Sequence, residues 1–380
     1  MILGKLDNKN ISKKVEFSVG KIGKITKLAL MSTLAGYNKS CNIALEEPFL
    51  TSSKKLEDFI NFLLNHKGFA PINYNIRLNF LKGKKLKLDR SLKNRKIVLT
   101  SGGIDSTAAI FHYLDIGVKP LLISLDFGQI NNQAEQKVIK SIVKKLGLEL
   151  IVVKINIEKE VVNGWKEWSY IVPARNLLIA AIAADLCNHL CLSGTIAMVA
   201  TSEEVNDKCP GPDKSPRFYS FCTNFFSKEY NRKLKLLTPF ARKTKAEMLS
   251  IWRTKWQAKY GISPYETTTC YSGEECGECN SCFKRSLALL AAGFNLDPKI
   301  KSNPFLFDIN KTANYLSRIG SKTEGFPLDR RIDNTLAFMR AKKLGMLPSE
   351  CLERLSALEK KYKKYFPARL RKFRLKDDFI

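Results

Sequence analysis

The sequence Ser101-Gly102-Gly103-Ile104-Asp105-Ser106 connects a predicted strand to a predicted helix. The apolar run Ile97-Val98-Leu99-Thr100 is typical of a buried strand, and the apolar side chains of residues 107–114 recur with helical spacing. Two adjacent glycines at such a turn can adopt positive φ angles, so that successive backbone N–H groups converge on an anion at the positive end of the helix dipole. The stretch therefore predicts a phosphate-binding loop, and an ordinary glycine-rich turn is the alternative.

The side chains of this loop add polar groups to the predicted phosphate site. Ser101 and Ser106 add hydroxyl donors, whereas Asp105 would repel a phosphate unless it orients a group or holds Mg²⁺ against the phosphates. The order Ser-Gly-Gly-x-Asp-Ser resembles the PP-loop of ATP pyrophosphatases, which split ATP between the α and β phosphates and adenylate an acceptor. The resemblance implies ATP and Mg²⁺ as cofactors. The residues expected to bind the nucleotide are Thr100, Ser101, Gly102, Gly103, Ile104, Asp105, Ser106 and Thr107.

From residue 95 onward, predicted strands and helices alternate. The strands are expected at 97–100, 119–126, 150–153, 196–200 and 234–237, and the helices at 107–114, 132–146, 174–190 and 244–260. This alternation predicts an α/β fold, in which a parallel sheet is covered by helices on both faces and binds ligands at the carboxyl ends of its strands. The phosphate loop lies at such an end, as do Asp126-Phe127-Gly128-Gln129 and Ser202-Glu203-Glu204.

Four cysteines form the second motif. Cys270, Cys276, Cys279 and Cys282 are separated by five, two and two residues, and Gly277 relieves the tight turn between them. Four thiolates with this spacing can surround one tetrahedral ion, so we expect structural Zn²⁺. The alternatives are an iron–sulfur cluster, although the fuller bacterial ferredoxin pattern is missing, a redox Cys-x-x-Cys pair, and unligated cysteines. The remaining cysteines are expected to be buried as small hydrophobic residues: Cys41, Cys187, Cys191, Cys209, Cys222 and Cys351.

The composition is that of a globular protein with room for two or three modules. Of its 380 residues, 44% are hydrophobic and 26% are charged. No apolar run approaches the ~20 residues of a membrane span, and the lysine-rich N-terminus lacks the apolar core of a signal peptide. We therefore expect a cytoplasmic protein with no membrane partner, whose cysteines bind metal or stay reduced rather than form disulfides.

The net charge of +28 is concentrated in the two ends of the chain. Residues 1–100 contain 20 Lys and Arg against 7 Asp and Glu, and residues 299–380 contain 20 against 9. Such flanks suggest a nucleic-acid or acidic-protein partner, and solvated lysine-rich surfaces are an equally simple explanation.

The charge distribution and the motifs together predict four segments. Residues 1–94 form a basic α+β appendage with strands at 15–19 and 74–80 around a helix at 54–66, and residues 95–265 form the nucleotide-binding core. Residues 266–298 form the zinc-binding segment, and residues 299–380 form a basic helical extension.

Taken in order along the chain, these motifs resemble the 7-cyano-7-deazaguanine synthases of queuosine and archaeosine precursor synthesis. The resemblance covers residues 95–293. Besides the phosphate loop, it rests on Asp126-Phe127-Gly128-Gln129, Val172-Pro173-Ala174-Arg175-Asn176, Lys245-Ala246-Glu247 and the four cysteines with Arg285.

The resemblance implies adenylation of a carboxylate. In this family, 7-carboxy-7-deazaguanine attacks ATP, ammonia displaces AMP to give the amide, and a second adenylation allows formation of the nitrile. It also implies catalytic roles: Asp105 organises Mg²⁺, and Arg175 and Lys245 neutralise phosphate charge. Phe127 and Gln129 are expected to contact the nucleotide or the flat base, and either could instead only end a strand.

One loop departs from the family pattern. The family has an acidic loop resembling Asp-x-Ser-Gly-Tyr-Pro-Asp-Cys-Arg-Pro-x-Phe, and here residues 207–218 read Asp-Lys-Cys-Pro-Gly-Pro-Asp-Lys-Ser-Pro-Arg-Phe. Asp207 and Asp213 keep their register and are the expected contacts to the deazaguanine, whereas Gly211 replaces the aromatic residue and Ser215 replaces the arginine.

The acceptor of the activated group has more than one candidate. Ammonia is the default. Longer relatives in bacterial anti-phage operons suggest instead an amine of a partner protein, and a tRNA-modifying PP-loop enzyme is the alternative from another class. A homodimer is left open as the assembly. Because both flanks lie outside the resemblance, their deletion is expected to spare adenylation.

Overall fold

A computed structural model of the chain describes residues 6–7, 25–26, 28–29, 42–43, 50–65, 95–126, 131–154, 174–189, 192–205, 212–321 and 326–376. The predicted strands at 15–19 and 74–80 lie outside these residues, as do Phe127, Gln129 and Asp207. Among the described residues, no helix is both long enough and apolar enough to cross a membrane.

The main sheet has five parallel strands, which follow one another across the sheet in the order of residues 149–154, 121–126, 97–99, 195–197 and 235–237. All five were predicted from their apolar runs. A separate antiparallel pair, β1 with β2, lies in the N-terminal part. The strands are β1 (Leu6–Asp7), β2 (Asn42–Ile43), β3 (Ile97–Leu99), β4 (Leu121–Asp126), β5 (Glu149–Lys154), β6 (Thr195–Ala197) and β7 (Lys235–Leu237).

Helices cover both faces of this sheet, which confirms the predicted α/β fold. Ile97 and Leu99 of β3 pack into one core with the helices over residues 175–189 and 216–229. Val98 points to the other face of the sheet and packs with the helix over residues 104–115. The helices are α1 (Ser53–Asn65), α2 (Ile104–Asp115), α3 (Asn132–Leu146), α4 (Arg175–His189), α5 (Pro216–Glu229), α6 (Lys245–Ile251), α7 (Gln257–Tyr260), α8 (Asn280–Ala291), α9 (Ile309–Gly320), α10 (Leu328–Lys343), α11 (Leu352–Tyr362) and α12 (Phe366–Phe373).

The strand order places the phosphate loop at a topological switch point. From β3 the chain adds β4 and β5 on one side, and then returns to add β6 and β7 on the other. The loops that follow β3 and β6 therefore leave in opposite directions and open a crevice at the carboxyl edge of the sheet. Proteins of this fold class bind their ligands in such a crevice.

The helix predicted over residues 244–260 is interrupted. It consists of α6, a π-helical turn (Trp252–Trp256) and α7. The π turn accompanies two buried indoles, whose Nε1–H groups donate to Ile262 O (2.8 Å) and to Asp115 Oδ2 (2.7 Å). An extra residue in one turn lets both rings reach these acceptors, which periodicity alone could not predict.

The C-terminal extension packs against α8 in one shared hydrophobic core. Phe283 and Leu287 of α8 share one buried cluster with Phe305 and Phe338, so helices α8 to α12 form one core. The N-terminal α1 is also attached, because the ring of Phe59 stacks on that of Phe221 at 3.6 Å between centroids. The expectation that both flanks can be removed without harm therefore conflicts with the packing, and the segment boundaries stay predictions.

Candidate active site

The loop between β3 and α2 is held closed by its own hydroxyl groups. Ser106 Oγ accepts hydrogen bonds from the Ser101 backbone N–H and from Thr100 Oγ1, both at 3.3 Å, and donates to Gly103 O at 3.1 Å. Gly103 is the N-cap of α2 and offers no side chain to its first-turn amides. Those N–H groups therefore carry the positive end of the helix dipole toward any anion at the loop.

Gly102 allows α3 and the segment around Thr268 to pack closely against the loop. Its φ is +72°, and a Cβ at this position would lie 3.1 Å from Glu135 O and 3.2 Å from the side chain of Ile139 in α3. From the opposite side, the Thr268 backbone N–H donates to Gly102 O at 3.0 Å. A residue larger than glycine would be strained by its φ angle and would press against α3.

A cavity of about 310 Å³ opens beside the loop at the carboxyl ends of β3 and β6. This volume suits a small-molecule site. Loop residues form one wall, and Arg175, Asn176 and Ile179 of α4 form another. Apolar side chains, among them Met198 and Val199 after β6, also line the cavity. The cavity thus combines an anion-binding edge with an apolar surface.

Two lysine–carboxylate pairs lie at this edge of the sheet. Lys245 Nζ is 2.9 Å from Asp105 Oδ2, and Lys214 Nζ is 2.6 Å from Glu204 Oε1. Burial alone would lower the pKa of Lys245, but the charges of Asp105 and Glu204 outweigh it and raise the pKa above its usual value. Lys245 therefore remains an ammonium ion at neutral pH.

Asp105 keeps one carboxylate oxygen without a protein partner. Oδ1 is buried, and no donor among the residues that the structure describes bonds to it. A buried acceptor of this kind is costly unless a ligand or ion satisfies it. Carboxylate oxygen is the donor type that Mg²⁺ prefers, so this atom fits the ion expected from the sequence.

The position of Lys245 is fixed by a capped helix start. Thr244 is the N-cap of α6, and its hydroxyl and the Glu247 carboxylate form a reciprocal capping box. The Lys245 backbone N–H donates to Glu203 Oε1 at 3.3 Å. The lysine backbone is thus tied to the loop after β6, while its side chain reaches the loop after β3.

Arg175 and Glu135 both line the cavity, and their charges interact. Arg175 begins α4, directly after Ala174, whose φ of +50° is unusual for a residue with a Cβ. Burial raises the pKa of Glu135 to about 7, against the opposing charge of Arg175 and a hydrogen bond from Asn131 Nδ2 (2.8 Å). Glu135 is therefore a carboxyl group that changes charge near neutral pH beside the loop predicted to bind phosphate.

The four cysteines converge. Their Sγ atoms all lie within 4.8 Å of one another, with 3.5 Å between Cys270 and Cys276 and 3.9 Å between Cys276 and Cys282. A tetrahedral ion with Zn–S bonds of ~2.3 Å requires sulfur–sulfur separations of roughly 3.8 Å. The donor set and its spacing therefore fit a metal ion such as Zn²⁺.

The cysteine segment also touches the phosphate loop. Thr268 and Thr269, just before Cys270, line the cavity together with Tyr271. Buried Arg285 of α8 donates hydrogen bonds to Thr267 O and, at 2.7 Å, to Asp297 Oδ2. These bonds hold the loop segment that contains Thr268. The segment that contains the four cysteines is therefore part of the cavity wall and is not remote from the site.

The structure brings most of the predicted site residues together. Gly102 and Thr107 lie behind the lining, the former through its backbone and the latter with a buried side chain. Lys245 reaches the loop through Asp105, and Asp213 O accepts a hydrogen bond from Asn176. The predicted residues that line the cavity directly are Thr100, Ser101, Gly103, Ile104, Asp105, Ser106 and Arg175.

Sequence reasoning missed several lining residues. Lys214 stands in the loop that departs from the family pattern, which is the one signal that could have marked it. Asn176 and Tyr271 lie within recognised motifs, next to Arg175 and Cys270, but no role was expected of them. Glu135 and Thr268 carry no local motif and reach the cavity only through the fold.

Comparison with known proteins relates the region that holds the site to one group. The family model described as "Queuosine biosynthesis protein QueC" matches residues 95–293, a little over half of the chain. These residues contain the phosphate loop, both lysine–carboxylate pairs and the four cysteines.

Three similar proteins illustrate the range of lengths. The 7-cyano-7-deazaguanine synthase of Thermoplasma volcanium is 27% identical over 241 residues, which make up 58% of this chain and 96% of that protein. That of Methanocaldococcus jannaschii is 27% identical over 52% of this chain and 96% of its own length. The 7-cyano-7-deazaguanine synthase 2 of Sulfurisphaera tokodaii is 26% identical over 56% of this chain and 48% of its own length.

Proposed function

The chain belongs to the QueC family of queuosine biosynthesis proteins, and from that premise we propose that it uses ATP to convert 7-carboxy-7-deazaguanine, through the amide, to 7-cyano-7-deazaguanine. Ammonia supplies the nitrogen, and AMP and pyrophosphate are released. The observation that carries the proposal is the pairing of Asp105 with Lys245 at the start of α2, beside a cavity whose lining is partly apolar.

The reaction follows from the poor leaving group of a carboxylate. One carboxylate oxygen attacks the α-phosphorus of ATP, and the bond between that phosphorus and pyrophosphate breaks. Ammonia then adds to the acyl carbon, AMP leaves, and a proton is lost to give the amide. Adenylation of the amide oxygen by a second ATP, followed by loss of AMP and the N–H protons, gives the nitrile.

The side chains supply position and charge rather than a covalent intermediate. The first-turn amides of α2, with Ser101, would bind the phosphates that leave as pyrophosphate. Asp105 would hold Mg²⁺, which neutralises phosphate charge when bound. Arg175 and Lys245 would stabilise the charge that develops on the phosphates.

Zn²⁺ is proposed as the ion of the four cysteines. Its role would be structural, because all four coordination positions are filled by protein sulfur and none is left for a substrate.

The test is product identification by mass spectrometry. Purified protein with ATP, Mg²⁺, 7-carboxy-7-deazaguanine and ammonium should give the nitrile and two AMP per nitrile. Accumulation of the free amide would limit the enzyme to the first half of the reaction. Absence of AMP with this acid would contradict the proposal.

Attachment of the deazaguanine to an amine of a macromolecule is the second candidate, and the C-terminal surface favours it. Residues 360–376 contain no Asp or Glu. The exposed cations of this segment are Lys360, Lys361, Lys363, Lys364, Arg371, Lys372, Arg374 and Lys376. Binding of tRNA through phosphates should weaken on the order of 10³-fold between about 50 and 200 mM salt if six or more contacts form. A protein acceptor should show a smaller salt dependence.

A further inference from the structure

The second paired lysine of the cavity has no role in the proposed nucleotide chemistry. Lys214 lines the cavity, and its ammonium group contacts Glu204 at 2.6 Å. It ends a short 3₁₀ turn (Pro212–Lys214) that Asn176 holds through a 3.4 Å bond to Asp213 O. Ser215 directly afterward caps α5, with its Oγ accepting from the Phe218 N–H at 3.2 Å. The backbone on each side of Lys214 is therefore held by a hydrogen bond, at Asp213 and at Ser215.

The two lysines pair with carboxylates from different loops of the crevice. The partner of Lys245 is Asp105, in the loop after β3, whereas the partner of Lys214 is Glu204, in the loop after β6. Glu204 is itself held by the Thr201 backbone N–H at 3.1 Å. The two pairs adjoin, because the charge of Glu204 also raises the pKa of Lys245 and that of Asp105 also raises the pKa of Lys214. Lys214, unlike Lys245, lines the cavity directly.

The electrostatic surroundings keep Lys214 charged. Burial alone would lower the pKa of Lys214, but the charge and hydrogen bond of Glu204 outweigh it and raise the pKa, with Asp105 and Asp213 adding to the rise. A protonated lysine has three N–H donors, of which Glu204 occupies one. At least one donor is left for an anionic oxygen in the cavity.

Building on the proposed function, we propose that Lys214 binds the carboxylate of the acid substrate and thereby selects an acid for the first adenylation. One carboxylate oxygen accepts a hydrogen bond from Lys214, and the other attacks the α-phosphorus that Lys245 and the loop hold. Once the new O–P bond has formed and pyrophosphate has left, the first oxygen has become the acyl carbonyl. Lys214 then stabilises the negative charge on this oxygen while ammonia adds, and it keeps its own proton throughout.

The test compares an acid with a neutral analogue in one set of variants. Dissociation constants are measured by calorimetry for 7-carboxy-7-deazaguanine and for its amide, each with Mg²⁺ and a non-hydrolysable ATP analogue. We expect Lys214→Met to weaken binding of the acid about 10- to 100-fold, as loss of a charge-assisted hydrogen bond does, and binding of the amide less than about threefold. Lys214→Arg should retain most of the affinity for the acid.

Controls separate recognition from folding and from net charge. Lys228→Met removes one exposed cation from the end of α5 and should leave both affinities unchanged. The double variant Lys214→Met/Glu204→Gln removes the pair without stranding a carboxylate, so its fold should persist while its affinity for the acid stays low. Recovery of acid binding in the double variant would overturn the assignment, because Lys214 would then serve only to neutralise Glu204. Equal losses for acid and amide would overturn it too.

The outcome for Lys214 is distinguishable from that of the proposed function. If the wild-type protein binds the acid but releases no pyrophosphate from ATP, the proposed reaction fails while the binding comparison still decides the role of Lys214. If the wild-type protein does not bind the acid, both fail.

Discussion

Arg369, near the C-terminal end of the chain, donates from Nη1 to Glu247 Oε1 at 2.5 Å, in the first turn of the helix that begins with Lys245. The same guanidinium donates to both oxygens of Asp333, whose Oδ2 accepts from the Thr244 hydroxyl at 2.6 Å. A buried charge network therefore joins the C-terminal helices to the N-cap that positions a site lysine.

Breaking this network should destabilise the protein strongly. Arg369→Met leaves Asp333 as a buried carboxylate without its guanidinium partner and removes one of the two cations that contact Glu247, and breaking such a buried pair typically costs about 3–5 kcal/mol. Urea unfolding should show the loss, whereas Arg371→Met, on the exposed side of α12, should change the free energy of unfolding by less than about 0.5 kcal/mol. Equal effects of the two substitutions would exclude the network as a stabilising element.

Removal of residues 299–380 should prevent the rest of the chain from folding. The truncation would expose Phe283, Leu287 and Leu290 of α8, which are buried against the C-terminal helices. We expect aggregation or loss of near-ultraviolet circular dichroism. A truncated chain that is folded and still adenylates the substrate would restore the sequence-based view of a separable extension.

Loss of the metal should affect both stability and ATP binding. Zinc analysis should give about one Zn²⁺ per chain, and Cys279→Ala should lower the melting temperature because structural zinc contributes folding energy. The Thr268 N–H supports the loop at Gly102, so ATP affinity should fall as well. Cys351→Ala, in a buried cysteine outside the cluster, should keep the zinc. Iron with sulfide, or a stable metal-free protein, would contradict this assignment.

Stability should depend on pH through Glu135. Because burial raises its pKa from 4.5 to about 7, the folded state binds a proton that the unfolded state has already lost between these values. The free energy of unfolding therefore falls as pH rises through this window, and the full cost is present above pH 7. Glu135→Gln should be more stable than wild type at pH 8 by about 1–3 kcal/mol, and close to wild type at pH 4.5. The same difference at both pH values would show that Glu135 does not titrate in this range.

Asp105→Asn should abolish formation of AMP and pyrophosphate while leaving the fold intact. The amide has the volume of the carboxylate but cannot hold Mg²⁺ or balance Lys245 in the same way. ATP should still bind weakly to the loop amides. A normal rate of ATP turnover in this variant would place the chemistry elsewhere.

Local patterns predicted the sheet and the loop because their causes are local. Each strand from β3 to β7 contains an apolar run, and the phosphate loop needs only the residues between Thr100 and Ser106 to close its turn. The spacing of the cysteines likewise predicted their convergence.

The parts that sequence reasoning missed depend on distant residues. Arg369 meets Glu247 across 122 residues, and nothing in either local sequence marks the pair. The local sequence does not single out Lys214 because its significance comes from Glu204, which lies in another loop that the sheet topology brings to the same edge. The π turn arises from two indoles that each need an acceptor outside the helix.

Oxygen transfer from substrate to AMP is the most direct test of carboxylate activation at this loop. The protein is incubated with ATP, ammonium and 7-carboxy-7-deazaguanine labelled with ¹⁸O in both carboxylate oxygens, and AMP and pyrophosphate are examined by mass spectrometry. Attack on the α-phosphorus predicts one ¹⁸O in each AMP and none in pyrophosphate. Label in pyrophosphate or phosphate, or unlabelled AMP, would contradict the proposed acyl adenylate.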